Sequence, residues 1–436
     1  MLATQSGGTG TQVNNTQWDG TSSSGRQAGK DGEGVCRRLI TDIGTNKKAG
    51  ISRHYCTAWE MGSHEDGTRR VADLFTPAFL VDFDKVRVNC TKTLAQCTEL
   101  GVTLRAQTKT HKTIEGAVLQ TGGTRRGLVT STLQEAEFYA DSGFDDILFG
   151  FPFIPYHMPR AAQLTRRLEK FYVMVDSRVA VDVLVANTPP SGKTWSAFLA
   201  VNCGYNREGV WWEASEGEEL ACLMDKSLSV TFSGVYVHCG NSYGASQPRD
   251  IEQVREKTVE RLLHLVGRIK ARGVACPVVG IGSTPTCSHP TPSMRQLTEL
   301  HPGNYIFYDV QQMTLGSCKE DDIACCVVTR VIGHYPDRNQ LLIDCGFSAL
   351  TKQGTGQLPS GCCIFRGQPN LKLDKMTQEI GYVDAVKGCL NLEDFPIGCM
   401  LFILPWHSCA TAAMYPVYYV VEDDAVVAEW RPTRGW

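Results

Sequence analysis

The sequence predicts an α/β protein: a parallel (β/α)8 barrel of the TIM type, followed by a smaller, mainly β domain. From residue 101, short β-branched or aromatic runs alternate with helical patterns, and after about residue 315 strand-like runs follow one another without long helices. The Gly-x-Gly-x-x-Gly turn of a dinucleotide-binding sheet is missing after an early strand. A closed barrel is therefore favoured over an open doubly wound sheet.

Eight strand-like runs support the barrel. Most of the gaps between them hold a helical pattern, such as Thr113 to Leu119, Leu133 to Ala140 and Ile251 to Ala271. The runs are Val102 to Lys109, Gly127 to Ser131, Asp146 to Gly150, Phe171 to Asp176, Ala197 to Cys203, Gly234 to His238, Pro277 to Gly282 and Tyr305 to Val310.

The chain of 436 residues divides into three predicted parts. Residues 1–70 are rich in Gly, Ser, Thr and Asn without a sustained period, which predicts a disordered extension, with a weak transit-peptide signal at Arg37-Arg38. Residues 71–315 hold the barrel and residues 316–436 the β domain; the run Phe79 to Asp82 fits either part. The β domain's strand-like runs are Ala324 to Ile332, Gln340 to Cys345, Cys399 to Leu404 and Val417 to Val421.

Composition excludes several classes of function. The formal net charge is −3 and no Lys/Arg run tracks phosphates, so we expect no nucleic-acid partner. No stretch of about 18 apolar residues and no signal-peptide core occur, which predicts a cytoplasmic protein with no membrane contact. The 18 cysteines are spread through the chain and are expected to be reduced, buried thiols. The pairs Cys325-Cys326 and Cys362-Cys363 lack the spacing of a zinc ribbon.

The most informative residue is Lys109, where a β-like run ends and a helical pattern follows. A TIM-type barrel keeps its chemistry at the carboxyl ends of its strands, and an amine there can form a Schiff base with a carbonyl cofactor. A lone lysine is more often a solvated surface charge, so its neighbours decide. Other polar groups follow the remaining runs: Thr130, Ser131, Asp176, Asn202, Tyr205, His238, Ser283, Thr284 and Asp309.

Two further motifs predict ligand sites. Gly282-Ser283-Thr284-Pro285 offers backbone N–H groups and two hydroxyls to a phosphate, although an ordinary turn is as good an interpretation of this motif alone. His407 and Cys409, after an apolar strand, are two residues apart and so face the same side of an extended chain. Imidazole and thiolate suit Zn²⁺ and leave coordination positions open for water or substrate, but His-x-Cys by itself is a weak pattern.

Taken together, these segments resemble the eukaryotic D-serine dehydratases, pyridoxal-phosphate (PLP) and zinc enzymes of the alanine-racemase fold type, with the D-threonine aldolases as nearest relatives. The likeness covers about residues 70 to 436. It is carried by Thr76-Pro77-Ala78-Phe79-Leu80-Val81-Asp82, Lys109-Thr110-His111-Lys112-Thr113, Tyr236-Val237-His238-Cys239-Gly240-Asn241-Ser242-Tyr243, Gly282-Ser283-Thr284-Pro285, His301-Pro302-Gly303-Asn304-Tyr305, His407-Ser408-Cys409, Trp430-Arg431-Pro432 and Gly435-Trp436.

The resemblance implies β-elimination from a small D-amino acid, D-serine, by a homodimer that uses PLP and Zn²⁺. Lys109 would be the Schiff-base lysine, with Lys112 as its rival, and His407 with Cys409 would hold zinc. The residues implied around the cofactor are Tyr236, Tyr243, Ser283, Thr284, Gly303 and Asn304.

This chain departs from the family pattern near the implied substrate. Ala106 and Gln107 stand where Pro and His are usual, Trp406 where Asn is usual, and Ile380 where His is usual. These departures lie near the implied substrate and the supports of the metal ligands, so they bear on substrate identity and rate rather than on cofactor use. The alternatives are a D-threonine aldolase, a non-catalytic PLP-binding protein and a protein with an inactive site. Cys409 favours dehydration, since the resemblance associates a carboxylate at that position with aldolases, and the β domain argues against the non-catalytic protein.

Overall fold

The computed structural model describes residues 67–190 and 192–436, which form a parallel barrel and a mixed β sheet. The predicted disordered extension and the Arg37-Arg38 patch lie outside the described residues, apart from residues 67–70. There, Arg70 forms an antiparallel bridge with Ala425. No helix of the described part is long and apolar enough to cross a membrane.

The first strand, β1 (Ala78–Asp82), belongs to the C-terminal sheet, although it precedes the barrel in sequence. It pairs antiparallel with a strand containing Cys325–Val328 and parallel with one containing residues 418–421. The sequence left the partner of this strand open, and the structure assigns it to the β domain. Helix α1 (Phe83–Leu100) follows, with the Asp82 carboxylate accepting from the Lys85 N–H at its start.

The barrel confirms the predicted fold class, since its strands pair in parallel, in sequence order, around a nearly closed ring. The first barrel strand is split at Arg105. One short strand, Val210–Trp211, lies outside the ring and pairs with the strand Trp195–Asn202. The barrel strands are β2 (Thr103–Leu104), β3 (Ala106–Gln107), β4 (Arg126–Thr130), β5 (Asp146–Pro152), β6 (Lys170–Val175), β7 (Trp195–Asn202), β8 (Val210–Trp211), β9 (Val230–His238), β10 (Val278–Gly282) and β11 (Glu299–Leu300).

One predicted strand is wrong. Tyr305 to Val310 forms a 3-10 turn (Asn304–Ile306) and the start of a short helix, and the ring closes instead through Glu299–Leu300, which pairs with β10 and β2. The Tyr305 to Val310 run is fully buried, and a continuous apolar run does not distinguish a buried helix from a buried strand. The true strand contains a buried charge, Glu299, and so escaped the pattern.

Helices separate most barrel strands, and several begin with a Ser, Thr or Asp cap in the segment that follows a strand. Thr113, Thr132, Ser177, Ser283 and Asp309 each accept a hydrogen bond from a backbone N–H of the following first turn. The helices are α2 (Ile114–Gln120), α3 (Leu133–Asp141), α4 (Met158–Arg167), α5 (Arg178–Ala186), α6 (Glu216–Asp225), α7 (Pro248–Ala271), α8 (Thr284–Ser288) and α9 (Val310–Thr314). Short caps therefore turn the chain at the rim where the strands end.

All four runs predicted for the β domain form strands of the C-terminal sheet, and β1 lies inside this sheet with a partner strand on each side. Its main path runs β15-β16-β13-β12-β1-β18-β19, with β17 joining β12 to β14. Its elements are β12 (Cys325–Tyr335), β13 (Gln340–Ile343), α10 (Phe347–Leu350), β14 (Cys363–Phe365), β15 (Leu371–Met376), β16 (Gly381–Ala385), β17 (Met400–Pro405), α11 (Ser408–Ala412), β18 (Tyr418–Glu422) and β19 (Ala425–Trp430). Every cysteine in the described part is a free thiol.

Candidate active site

Lys109 lies in the turn directly after the first barrel strand, and its side chain is exposed at the rim. The Gln107 side-chain oxygen accepts a hydrogen bond from the Lys109 backbone N–H at 3.0 Å, which shapes this turn. The Lys109 charge acts on His238, on a barrel strand, and on Cys409, in the C-terminal domain. The amine therefore lies where the two parts of the molecule meet.

Lys112, the rival lysine, is already engaged. Its Nζ lies 2.9 Å from Oε1 of Glu135, whose side chain is 1% exposed. Its backbone has a positive φ of 54°, and its carbonyl accepts from the Thr433 N–H at 2.9 Å. Among the described residues, no comparable ion pair holds Lys109. Lys109 thus offers an available amine, whereas Lys112 supports the turn.

The turn after Lys109 is fixed from below by His111. The His111 Nδ1 accepts from the Thr113 N–H at 3.1 Å, so its Nε2–H donates to the Gln120 side-chain oxygen at 3.0 Å. Burial lowers the pKa of His111 to about 4, which keeps the ring neutral near pH 7. A Cβ at Gly116 would lie 2.4 Å from this ring, so only glycine lets helix α2 start there.

Five of the predicted cofactor-binding residues converge beyond β9, β10 and β11, and we call them the cradle: Tyr243, Ser283, Thr284, Gly303 and Asn304. Thr284 Oγ1 accepts from the Asn304 N–H at 3.0 Å, and the Thr284 backbone hydrogen-bonds Tyr243. The Ser283 hydroxyl caps helix α8 and contacts the hydroxyl of Thr286, so it is used within the protein. Its neighbouring backbone N–H groups and the Thr284 hydroxyl remain the better phosphate ligands.

The cradle lies beside the Lys109 turn. A Cβ at Gly303 would be 2.6 Å from the Gln107 carbonyl oxygen, so the glycine lets these two segments touch. Asn304 is buried, and its Oδ1 has no hydrogen-bond partner in the described part of the chain. A buried acceptor without a protein partner leaves a position where a water molecule or a ligand can donate a hydrogen bond.

Tyr236, the sixth predicted cofactor residue, lies in the barrel interior against His301. Their rings stack with centroids 4.3 Å apart and planes 9° apart. His301 Nε2 lies 2.7 Å from Glu299, which also binds Arg105 at 2.9 Å. Burial opposes ionisation of Glu299, but Arg105 and His301 together outweigh burial and lower its pKa to about 2. Tyr236 therefore packs on His301, which is held in place by its contact with the ion pair of Glu299 and Arg105.

His238 and Arg207 stand at the rim near Tyr236. His238 Nδ1–H donates to the Gly282 carbonyl at 2.9 Å, which leaves Nε2 as an acceptor. Burial, helped by the charges of Arg207 and Lys109, lowers the pKa of His238 to about 3. The sequence reasoning missed Arg207, whose guanidinium lies 5.4 Å from the Tyr205 ring. The strand-end rule applied to the loop after β7 would have reached it.

His407 and Cys409 lie side by side and meet the Lys109 turn. Cys409 Sγ is 3.1 Å from the hydroxyl of Thr110, the residue after Lys109. Burial raises the pKa of Cys409, but His407, Lys109 and Thr110 together outweigh burial and lower the pKa to about 7. Burial likewise works against the imidazolium, yet Cys409 raises the pKa of His407 to about 9. The pair therefore favours a thiolate, the form that binds a metal ion.

Asp309 connects the cradle with the metal pair. Its Oδ2 accepts from the Asn304 side-chain amide at 2.7 Å and from the Ser408 N–H at 2.9 Å, while its Oδ1 accepts from the Gln312 N–H. The side chain is fully buried. Asn304 Nδ2 also lies 3.5 Å from Cys409 Sγ. One carboxylate thus links Asn304 of the cradle with the loop that carries His407 and Cys409.

The donor set fits an open zinc site. Within the described residues, no group of three or more His, Cys, Asp or Glu side chains is placed to hold a metal ion. A closed four-ligand structural site is therefore not formed there, whereas one imidazole and one thiolate leave positions for water and substrate. The lysine amine suits a carbonyl carbon and the hydroxyl and backbone N–H groups of the cradle suit a phosphate, so these residues fit a phosphorylated carbonyl cofactor.

The four departures from the family pattern have definite places. Ala106 is buried in β3, and Gln107 shapes the lysine turn. Trp406 packs against Gly354, where a Cβ would lie 2.2 Å from the indole. Ile380 lies in the turn between β15 and β16, and its carbonyl accepts from the Thr377 N–H at 2.9 Å. Gln107 and Trp406 therefore adjoin the site residues directly.

Two family models match the chain. "Alanine racemase, N-terminal domain" covers residues 81–310, and "Putative serine dehydratase domain" covers residues 324–421. The D-serine dehydratase of Dictyostelium discoideum is 32% identical over 395 residues, which span 84% of this chain and 98% of that protein. The D-threo-3-hydroxyaspartate dehydratase of Delftia sp. (strain HT23) is 30% identical, over 83% of this chain and 98% of that protein.

The structure of that Delftia protein superposes on this chain with a TM-score of 0.79, at 29% identity, over 84% of this chain and 100% of the other. Two further structures of the protein carry a histidine-to-alanine and a cysteine-to-alanine substitution two positions apart, and the second is described as the metal-free form. The spacing is that of His407 and Cys409 here. A D-threonine aldolase from Filomicrobium marinum shares the fold, with a TM-score of 0.72 at 21% identity.

Proposed function

This chain belongs to the D-serine dehydratase family, whose barrel is an alanine racemase N-terminal domain, and on that premise we propose that it converts D-serine to pyruvate and ammonia. Membership confirms the resemblance predicted from the motifs. The chain is accordingly a lyase. We assign it PLP and Zn²⁺ as cofactors and a small D-amino acid as substrate.

One observation carries this proposal: the lysine turn of the barrel touches the metal pair of the C-terminal domain. The Thr110 hydroxyl lies 3.1 Å from Cys409 Sγ, one residue from Lys109. An amine that removes an α-proton and a metal ion that binds a β-hydroxyl must act on adjacent carbons. The contact gives that proximity, and it supports β-elimination over a function that needs the barrel alone.

The cofactor assignment is supported by the fit of the chain's own residues. Lys109 would hold the carbonyl carbon of PLP through Nζ, and the cradle would hold its phosphate at the start of helix α8. Tyr236 would contact the ring from the barrel floor, held by its stacking on His301. When bound, PLP supplies an electron sink that acidifies the α-hydrogen of the amino acid attached to it.

The chain's residues then divide the reaction between them. With PLP and substrate bound, Lys109 Nζ would take the α-proton from one face only, so we expect L-serine not to react. His407 and Cys409 would hold zinc, which would supply a Lewis acid at the β-hydroxyl and help it leave as water. His238 presents Nε2 as a neutral acceptor at the rim. The remaining 2-aminoacrylate hydrolyses to pyruvate and ammonia.

We further propose that the protein acts as a homodimer in the cytoplasm. Phe151 near the end of strand β5, and Ile154 and Tyr156 just after it, are 50%, 48% and 84% exposed, and Trp436 is 86% exposed. Arg160 Nη1 donates to the Trp436 carbonyl at 2.8 Å, so the last residue lies near this apolar group. Exposed apolar patches of this kind commonly mark interfaces. The free thiols of the described cysteines suit a reducing compartment.

Product analysis tests the function. The purified protein, with PLP, is given D-serine, L-serine, D-threonine or D-threo-3-hydroxyaspartate, with and without zinc. We expect pyruvate from D-serine to form fastest, nothing from L-serine, and little glycine with acetaldehyde from D-threonine. Predominant glycine formation would instead make the protein an aldolase, and no turnover of any substrate would make it a non-catalytic member of the family.

A further inference from the structure

We propose that Gln353 is a positioning residue for the metal site: its side-chain oxygen orients His407 so that Nε2 faces the metal. This inference rests on the proposed zinc site and adds a residue outside the His-x-Cys motif. The sequence reasoning did not single out Gln353, which lies 54 positions before the histidine and in a different loop.

The contact between the two side chains fixes the role of each ring nitrogen. Gln353 Oε1 lies 2.6 Å from His407 Nδ1. An amide oxygen can only accept a hydrogen bond, so Nδ1 carries the proton and donates it. The metal ion would then bind through the second nitrogen, Nε2, which gives up its proton when the metal binds. Metal-bound histidines in general use a hydrogen bond from the other ring nitrogen to set tautomer and orientation.

The backbone around Gln353 is built to hold it there. Gly354 has φ +81°, and a Cβ at this position would lie 2.2 Å from the Trp406 ring. The loop can therefore lie flat on Trp406, the residue directly before His407, only with glycine at 354. Within the loop, the Thr351 hydroxyl accepts from the Gln353 N–H at 3.2 Å, and the Lys352 carbonyl accepts from the Thr355 hydroxyl at 2.7 Å. The loop is thus ordered by its own hydrogen bonds.

This arrangement gives Trp406 a structural role beside His407. It departs from the family pattern beside the metal ligands, and its indole is the surface on which Gly354 rests. The bulky ring and the bare glycine complement each other, and the pair brings the amide of Gln353 to the imidazole of His407. The departure therefore takes part in holding the metal site in this chain.

Zinc affinity measures this role without relying on turnover. Groups that orient a metal ligand typically change metal affinity by about 10- to 100-fold when they are removed. Competition with a chelator of known affinity, on the full-length protein loaded with PLP, gives the dissociation constant. We expect Gln353→Ala to weaken zinc binding by about tenfold or more. Gln353→Glu, whose carboxylate can only accept, should keep or improve it.

Gln357→Ala is the matched control. It removes the same type of side chain from the same loop, and Gln357 is exposed with no side-chain hydrogen bond in the described part of the chain. We expect its zinc affinity to equal that of the unmodified protein. Equal affinities for Gln353→Ala and Gln357→Ala would overturn the proposal, as would a loss of affinity in Gln353→Glu as large as that in Gln353→Ala.

The same titration separates this inference from the proposed function. If the unmodified protein binds no zinc, or if His407→Ala leaves its zinc affinity unchanged, the zinc site itself is wrong and the role of Gln353 falls with it. If His407→Ala abolishes binding while Gln353→Ala does not weaken it, the zinc site stands and only the positioning role is refuted. Thermal unfolding of each variant identifies any loss of affinity that comes from misfolding.

Discussion

The cradle of the barrel and the metal pair of the C-terminal domain are built in opposite ways. The cradle gathers residues from three strand ends, separated by about sixty positions in sequence, because a parallel barrel brings those ends together. The two residues of the proposed metal pair, His407 and Cys409, lie two positions apart. The side chains that contact their loop are distant in sequence: Thr110, Asn304, Asp309 and Gln353. The proposed cofactor site is formed by the strand order of the barrel, whereas the proposed metal site is held by side-chain contacts between segments distant in sequence.

This difference predicts unequal consequences of mutation. A residue that reacts with the substrate should affect catalysis most, a metal ligand somewhat less, and a supporting residue least. The two sites share Asp309, so they should not be fully independent.

The largest expected effect separates two lysines of the same turn. Lys109→Ala should lower the rate of pyruvate formation by on the order of a thousandfold or more, since it removes both the attachment point and the base. Lys112→Ala should keep most of the activity and lose stability, because it breaks the ion pair with buried Glu135. Steady-state rates and thermal unfolding check both. Equal losses of rate in the two variants would contradict the assignment.

Removal of the metal should slow catalysis strongly and change the stability of the fold little. Chelation or Cys409→Ala should slow elimination by on the order of a hundredfold or more, because Lewis-acid help at the hydroxyl contributes several kcal/mol. Thermal stability should change little, since two ligands in a large protein contribute less to folding than a closed four-ligand site. Full activity in a verified zinc-free sample would refute the role, and unfolding on chelation would make the metal structural.

Asp309 tests whether the two sites are joined. Asp309→Asn places an amide where three donors converge, so both zinc affinity and PLP affinity should fall, by about tenfold for zinc. Asp344→Asn is the control, because Asp344 accepts from Thr329 and from the Arg330 N–H elsewhere in the β domain. It should lower stability without changing either affinity. Normal zinc affinity in Asp309→Asn would show that the carboxylate only supports the fold.

The sequence predicted the cradle better than its surroundings. Seven of eight barrel strands, with Ser283 and Thr284 at a strand end, followed from periodicity. Tyr243, Gly303 and Asn304 followed only from the family resemblance. The eighth strand failed because the buried run at Tyr305 carries no period that distinguishes helix from strand. The roles of Gln353 and of the partners of Asp309 could not be predicted from the sequence, for a different reason. Contacts between distant loops leave no local pattern in one sequence.

The smallest predicted effect is a pH dependence of stability from His111. Its pKa is lowered to about 4 by burial, against about 6.5 in the unfolded chain. Its contribution is therefore fully present above pH 6.5 and is lost as the pH falls towards 4, which amounts to about 2 kcal/mol between pH 7 and pH 5. Denaturant unfolding at several pH values should show a flatter slope for His111→Gln. An unchanged slope would mean that the ring is not held neutral.

The most direct test of the account is to find where the cofactor is attached. The PLP-loaded protein is reduced with borohydride and digested, and the pyridoxyl-labelled peptide is sequenced, both for the unmodified chain and for Cys409→Ala. The account predicts a label on Lys109 in both proteins, because barrel topology places the amine and the metal pair acts on the hydroxyl alone. A label on Lys112, or on any other lysine, would contradict it.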